Sequence, residues 1–167
     1  PEVVRFFILR AHYRSPLNYS DVHLDDAKLA LQRLYVTLRG FNIEDSDVDW
    51  HHPLANKFKE AMDDDFNTPE AISILFELAN EINKSKSAPL ADLLRALAKT
   101  IGLLGKDPET FLKGDEKISL NIDMLILQRY EAKNNKNFME ADRIRSLLLE
   151  SGIVLEDTPQ GTIWRKE

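Results

Sequence analysis

Thr68-Pro69-Glu70-Ala71-Ile72-Ser73-Ile74-Leu75-Phe76-Glu77-Leu78-Ala79-Asn80-Glu81-Ile82-Asn83 reads as a helix from end to end. Thr68 offers an N-cap oxygen, Pro69 suits a first turn whose N–H groups have no helical partner, and Glu70 faces the positive helix end. Ile72, Leu75, Phe76, Ala79 and Ile82 recur at spacings of three and four, so they share one face. A helix with one apolar face needs neighbours of the same kind, and the flanking sequence supplies them.

Upstream, Leu54, Phe58, Ala61 and Met62 mark a helix. Before a polar loop from Asn42 to His52, Ser20 or Asp21 can cap another that runs to about Arg39, with Gly40 just beyond. Leu24, Ala27, Leu31, Leu34, Tyr35 and Leu38 form its buried stripe. Val3 to His12 is a short, very apolar helix ended by Arg14-Ser15-Pro16, because the residue before a proline is disfavoured in helix. Downstream, Leu90, Leu94, Leu97, Ile101 and Leu104 align on a helix from about Pro89 to Leu104, with Gly105 after it. Five amphipathic helices with short connections predict a helical bundle over residues 1–106.

Breakers and mixed charge in Asp107 to Lys117 place a linker at 107–117. Residues 118–167 then read as a small helix–helix–β-hairpin unit. One helix runs from about Leu120 to Asn134 and a second from Asn137 to Ser151, where Asn137 and Glu140 make a capping-box pattern and Gly152 can close the end. Ile153-Val154-Leu155 and Thr162-Ile163-Trp164-Arg165 are strands around a Pro159/Gly161 turn. A lone hairpin is marginal in water, so these strands must pack on the helices. The fold class expected is mainly α: an antiparallel bundle followed by this subdomain.

The 167 residues carry 22 Lys+Arg against 28 Asp+Glu, a net charge of −6, which disfavours a generally basic nucleic-acid binder. Distribution matters more: residues 117–167 hold 8 of each sign, leaving 14 basic against 20 acidic in residues 1–116. RNA, if bound, belongs on the neutral tail. The absence of cysteine excludes disulfides, thiolate zinc sites and a catalytic thiol, and fits a reducing cytoplasm. No apolar run approaches the roughly 20 residues that span a bilayer, so no membrane partner is expected. The chain opens on Pro1 inside an apolar helical pattern, which implies a piece of a longer protein. The Val-, Phe-, Ile- and Leu-rich stripe from Val3 to Leu9 is expected to stay partly uncovered.

Three stretches carry a resemblance. Val4-Arg5-Phe6-Phe7-Ile8-Leu9-Arg10-Ala11-His12-Tyr13-Arg14-Ser15-Pro16-Leu17-Asn18-Tyr19-Ser20 is the first, and Phe58 to Ala71, with its Asp63-Asp64-Asp65-Phe66-Asn67-Thr68-Pro69 centre, the second. The third joins Ala141-Asp142-Arg143-Ile144-Arg145 to Gly152-Ile153-Val154-Leu155-Glu156-Asp157 and Pro159-Gln160-Gly161-Thr162-Ile163-Trp164-Arg165. In order and spacing they resemble the carboxy-terminal part of bacterial cysteinyl-tRNA synthetases, over essentially the whole chain. The family's two ATP-binding signatures and the Cys and His ligands of its active-site zinc are absent from this sequence. The resemblance therefore implies the helical bundle of a class I synthetase plus an anticodon-binding tail, with no catalytic site and no cofactor of its own. ATP, zinc and cysteinylation would reside in the parent's catalytic domain, and the partners would be that domain and cysteine tRNA, whose anticodon is GCA.

The same resemblance implies the site residues. Asp142, Asp157 and Trp164 fall at positions the family uses on the anticodon. Carboxylates suit GCA, because guanine's Watson–Crick edge and cytosine's amino group both donate hydrogen bonds. An indole face can stack an unpaired base, worth roughly 1–3 kcal/mol. Phe138 stands where many relatives have Trp and can still stack; Lys133 stands where Arg is frequent and keeps the charge without the planar fork. Lys136, Arg143, Arg145 and Arg165 are phosphate candidates, which would add affinity without reading sequence. Trp164 has a competing reading as the hairpin's core residue. If Ile163 faces the helices, Trp164 points outward, and the reverse holds otherwise.

Two other functions compete with this reading. A helical protein–protein scaffold would use the apolar first helix. A metal-dependent hydrolase would use Asp63-Asp64-Asp65 with His51-His52, but consecutive helical residues diverge by about 100° and cannot easily converge on one ion. A structural role for the three aspartates in the turn before Phe66 is the expectation.

Overall fold

A computed structural model describes residues 1–44, 46–113, 116–159 and 161–166, and for 116–120 the backbone alone. It divides into two units, Pro1–Pro108 and Glu109–Glu167.

The first unit is built from α1 (Glu2–Leu9), α2 (Asp21–Leu38), α3 (Pro53–Asp63), α4 (Thr68–Ser85) and α5 (Ala88–Thr100). Helix α4 packs against each of the other four. Its Ala71, Ile72, Ile74, Leu75, Leu78, Ala79 and Ile82 are all buried, and Phe76 meets Phe6 of α1 edge to face. Ser20 caps α2 by accepting from the His23 N–H. Helix α4 is capped one residue earlier than the sequence suggests: Asn67 accepts from the Glu70 N–H at 3.2 Å, and Thr68 is already helical. Helix α5 also stops early. Gly102 adopts φ +73° while Leu103 donates back to the Ala98 carbonyl, so the helix closes there rather than at Gly105. Leu103 and Leu104 fold back into the core.

Among the described residues, one acid sits inside this unit. Glu2 is buried and accepts from the Tyr35 hydroxyl at 2.9 Å and from the Leu104 N–H at 2.6 Å. Tyr35 in turn accepts from the Lys106 N–H at 3.3 Å. Burial, foremost, pushes the Tyr35 phenol well above its usual pKa, so it stays a donor to the carboxylate. This network ties the start of α1 to the segment after α5. On α1, Phe6 and Phe7 are buried, whereas Val4 and Ile8 are about half exposed.

Asp63 ends α3, and Asp64 and Asp65 turn the chain after it. Asp65 has φ +54° and accepts from the Tyr13 hydroxyl at 2.7 Å and from Arg14 at 3.0 Å, while Asp63 pairs with Lys59. His52 caps α3 through Nδ1. Among the described residues no group of three or more acids and histidines is placed to hold a metal. None of their helices is long and apolar enough to cross a membrane.

The expected linker, 107–117, instead contains α6 (Pro108–Lys113), with a Glu109–Lys113 ion pair and a buried Leu112. The second unit continues with α7 (Glu116–Asn134), α8 (Phe138–Glu150), β1 (Ile153–Thr158) and β2 (Gly161–Lys166). Asn137 caps α8 by accepting from the Glu140 N–H at 3.3 Å, and Gly152 closes it at φ +72°. The strands pair antiparallel, with Leu155 opposite Trp164 and Asp157 opposite Thr162. Ile122, Ile144, Leu148, Ile153 and Trp164 form the core, with Leu125, Ile126 and Leu155 packed against it.

Candidate nucleic-acid interface

The side of the hairpin that faces α7 decides what the second unit can offer. Ile153 and Leu155 of β1 and Trp164 of β2 lie on it and enter the core. By the two-residue alternation of strands, Asp157 and Thr162 continue the same side toward the hairpin tip. There they meet α7. Arg129 grips Asp157 with both arms, Nη1 to Oδ1 at 3.0 Å and Nη2 to Oδ2 at 3.1 Å. Lys133, one turn on, donates to Oδ2 at 3.1 Å, and the Thr162 hydroxyl donates to Oδ1 at 2.7 Å. The Arg129 side chain is 5% exposed and that of Asp157 53%, so a buried cation presents a half-exposed anion to solvent. Hydrogen bonds from Arg129 and then Thr162 hold the Asp157 carboxyl well below the usual carboxylate range.

Trp164 corrects an expectation. It is 1% exposed, its indole N–H donates to Asp123 at 2.8 Å, and Lys113 lies over its ring at 5.4 Å. The core reading holds, and no indole face is open to a base. Trp164 thus anchors to α7 the same side of the hairpin that carries Asp157 and Thr162 one cross-strand pair further on. Ile153-Val154-Leu155 and Ile163-Trp164 are unbroken apolar runs, so the sequence carried no alternation to tell the two faces apart.

Lys133, Lys136 and Phe138 gather around the turn between α7 and α8. Lys136 takes a left-handed φ of +57° while its N–H reaches the Lys133 carbonyl, and Asn137 reaches back to Ala132. This tight reversal leaves Phe138 at the first position of α8, 62% exposed. Asp142 follows one turn later on an exposed position beside buried Ala141. Arg143 is occupied by Glu140 through two hydrogen bonds of 2.8 and 2.7 Å, and Arg165 by Glu156 at 3.2 Å. Arg145 lies exposed on α8 next to buried Ile144.

Two residues escaped the sequence reading. Arg129 lies on the buried stripe of α7, with Ile122, Leu125, Ile126 and Ala132, and a cation on such a stripe is itself a signal of a buried partner. Tyr130, next to it, is 60% exposed and lines a shallow groove with Leu127, Ile126, Asp123, Gly161 and Thr162. With Phe138 it supplies the open aromatic faces that Trp164 does not.

A family model described as the DALR domain matches residues 57–106, within the first unit. The chain is 61% identical to the cysteine–tRNA ligase of Methylobacillus flagellatus, 57% to that of Aromatoleum aromaticum and 59% to that of Cupriavidus necator. Each match covers 99% of this chain and 37% of the relative, so the chain spans little more than a third of those proteins.

Proposed function

We propose, from the premise that this chain is homologous to a DALR-containing stretch of bacterial cysteine–tRNA ligases, that it is their tRNA-binding, anticodon-reading region. Its second unit takes the anticodon loop at the hairpin tip and the α7–α8 turn. The observation that carries this is the half-exposed Asp157 carboxylate, fixed by Arg129 and Thr162, with Lys133 one helical turn beyond Arg129 and exposed Tyr130 next to Arg129 in sequence. That is the equipment for an unstacked base: an oriented acceptor, a stacking face and nearby cations.

Asp157 and Asp142 accept from base edges of a GCA anticodon, and Phe138 stacks a base. Lys133, Lys136 and Arg145 meet phosphates, as do Arg143 and Arg165 once they exchange their glutamate partners. Trp164 is left out of base contact and holds the hairpin in place. The first unit serves as a rigid spacer, and cysteinylation, with its ATP and zinc, belongs to a catalytic domain elsewhere in the longer protein. The compartment proposed is the cytoplasm, where charged tRNA is consumed.

The test is a low-salt titration of the chain with cysteine tRNA and with the same tRNA carrying a changed anticodon. Binding is expected to weaken with the changed anticodon, and with Phe138→Ala by about 1–3 kcal/mol. Tight binding that ignores the anticodon would reduce the tail to a phosphate holder. The alternative, a protein–protein scaffold, is favoured by the apolar groove formed by Ile8, Leu9, Ala11, Tyr13 and Phe66, and it predicts no RNA binding at any salt.

A further inference from the structure

The donors on Asp157 fill it. An ionised carboxylate has about four acceptor positions, and four donors are present: Arg129 and Thr162 on Oδ1, Arg129 and Lys133 on Oδ2. A base edge can reach this half-exposed group only by taking the place of one of them. Arg129 cannot leave cheaply, because its side chain is 5% exposed and its charge would remain buried without a counter-ion. The Thr162 hydroxyl is fixed by the strand pairing that sets Thr162 opposite Asp157. Lys133 is different: its side chain is 40% exposed, and a flexible stem carries a single point charge.

We infer that Lys133 is an exchangeable placeholder on Asp157, and that Arg129 and Thr162 are the positioning residues that hold the carboxylate for reading. This rests on the anticodon reading proposed above. When a base amino or imino group donates to Oδ2, Lys133 swings away and takes an RNA phosphate. The swap keeps Oδ2 satisfied throughout and keeps the Lys133 charge paired. The carboxylate is thereby ionised and aimed before RNA arrives. It also ties base reading to backbone grip: the cation becomes free for phosphate when a donor edge replaces it. An RNA base presenting only acceptors toward Oδ2 would leave Lys133 where it is and lose that phosphate contact.

The experiment uses the whole chain and two RNA hairpins, one with the GCA anticodon loop and one with a changed anticodon, titrated across a salt series. Two quantities are read: the ratio of the two affinities, and the slope of log affinity against log salt for the GCA hairpin. Lys133→Met is expected to lower the ratio and to flatten the slope by roughly 0.7–0.9, the loss of one phosphate contact that only the GCA hairpin makes. Thr162→Val and Arg129→Lys are expected to lower the ratio roughly tenfold with the slope unchanged, and Thr162→Ser, which keeps the hydroxyl, to restore it. A residue with only a structural role would weaken both hairpins alike and leave the ratio intact. Thr162 and Lys133 lie near the surface, so the test does not depend on Arg129→Lys folding. An unchanged slope in Lys133→Met overturns the exchange, and an unchanged ratio in Thr162→Val overturns the positioning role. Equal binding of both hairpins by the wild type overturns the anticodon reading, and the exchange with it.

Discussion

Asp157 shows how one side chain can be held for two purposes at once. It neutralises buried Arg129, which stabilises the second unit, and it presents an ionised acceptor to solvent. The pH dependence follows from the direction of its shift. Its carboxyl titrates lower in the folded chain than in an unfolded one, so its stabilising effect is complete above the ordinary carboxylate value of about 3.9 and is lost as pH falls through the folded value. Denaturant unfolding of wild type and Asp157→Asn should therefore differ most at pH 5 and above, and the difference should shrink as the medium becomes more acidic than about pH 4. A gap that stays constant or widens on acidification would show that the Arg129 contact contributes nothing through charge. At this scale the sequence told only part of the story. Asp157 could be picked out by resemblance, but its grip by Arg129 depends on a buried face of α7 meeting the hairpin tip, and no local pattern encodes that meeting. Trp164 was undecidable for the same reason: two adjacent apolar residues on a strand leave the choice of face to packing.

Among the elements, the α7–α8 turn is the one that gathers the interface. Lys136 in a left-handed conformation and Asn137 as cap reverse the chain within three residues, and this sets Lys133 and Phe138 on either side. Asn137→Ala removes the oxygen that accepts from Glu140. It should cost about 0.5–2 kcal/mol by thermal or denaturant unfolding, typical for a lost N-cap, with Asn137→Ser largely restoring it. Loss below the lower figure would mean that tertiary contacts, not the cap, fix the turn. Helices were readable because apolar spacing and caps act over a few residues, as with Ser20, Asn137 and Gly152. Their ends were less so. At α4, Asn67 and Thr68 are both good caps and only the backbone decides between them. At α5, Gly102 wins over Gly105 because Leu103 and Leu104 must turn inward to be buried. Helix α6 hid in a stretch whose proline and mixed charges read as a linker, although Pro108 suits a first turn and Glu109–Lys113 is a helical ion pair.

For the molecule as a whole, the family-model match and the proposed site fall in different places. The DALR match lies in residues 57–106, whereas the fixed carboxylate with the exposed Tyr130 and Phe138 belongs to residues 109–167 and the neutral charge balance to residues 117–167. Sequence composition made that division visible, since the surplus of acid lies entirely in residues 1–116 and an acidic surface repels RNA. The bundle's apolar periodicity fixed its class but was silent about purpose, as fold alone is. The central claim is that the second unit reads the anticodon loop at the α7–α8 turn and hairpin tip. Amide chemical-shift mapping of the whole chain, titrated with the GCA anticodon hairpin at low salt, tests it most directly. Perturbations are expected to concentrate at Lys133, Lys136, Phe138, Asp142, Asp157 and Thr162, with residues 1–108 unchanged. Perturbations confined to residues 1–108, with those positions silent, would contradict it.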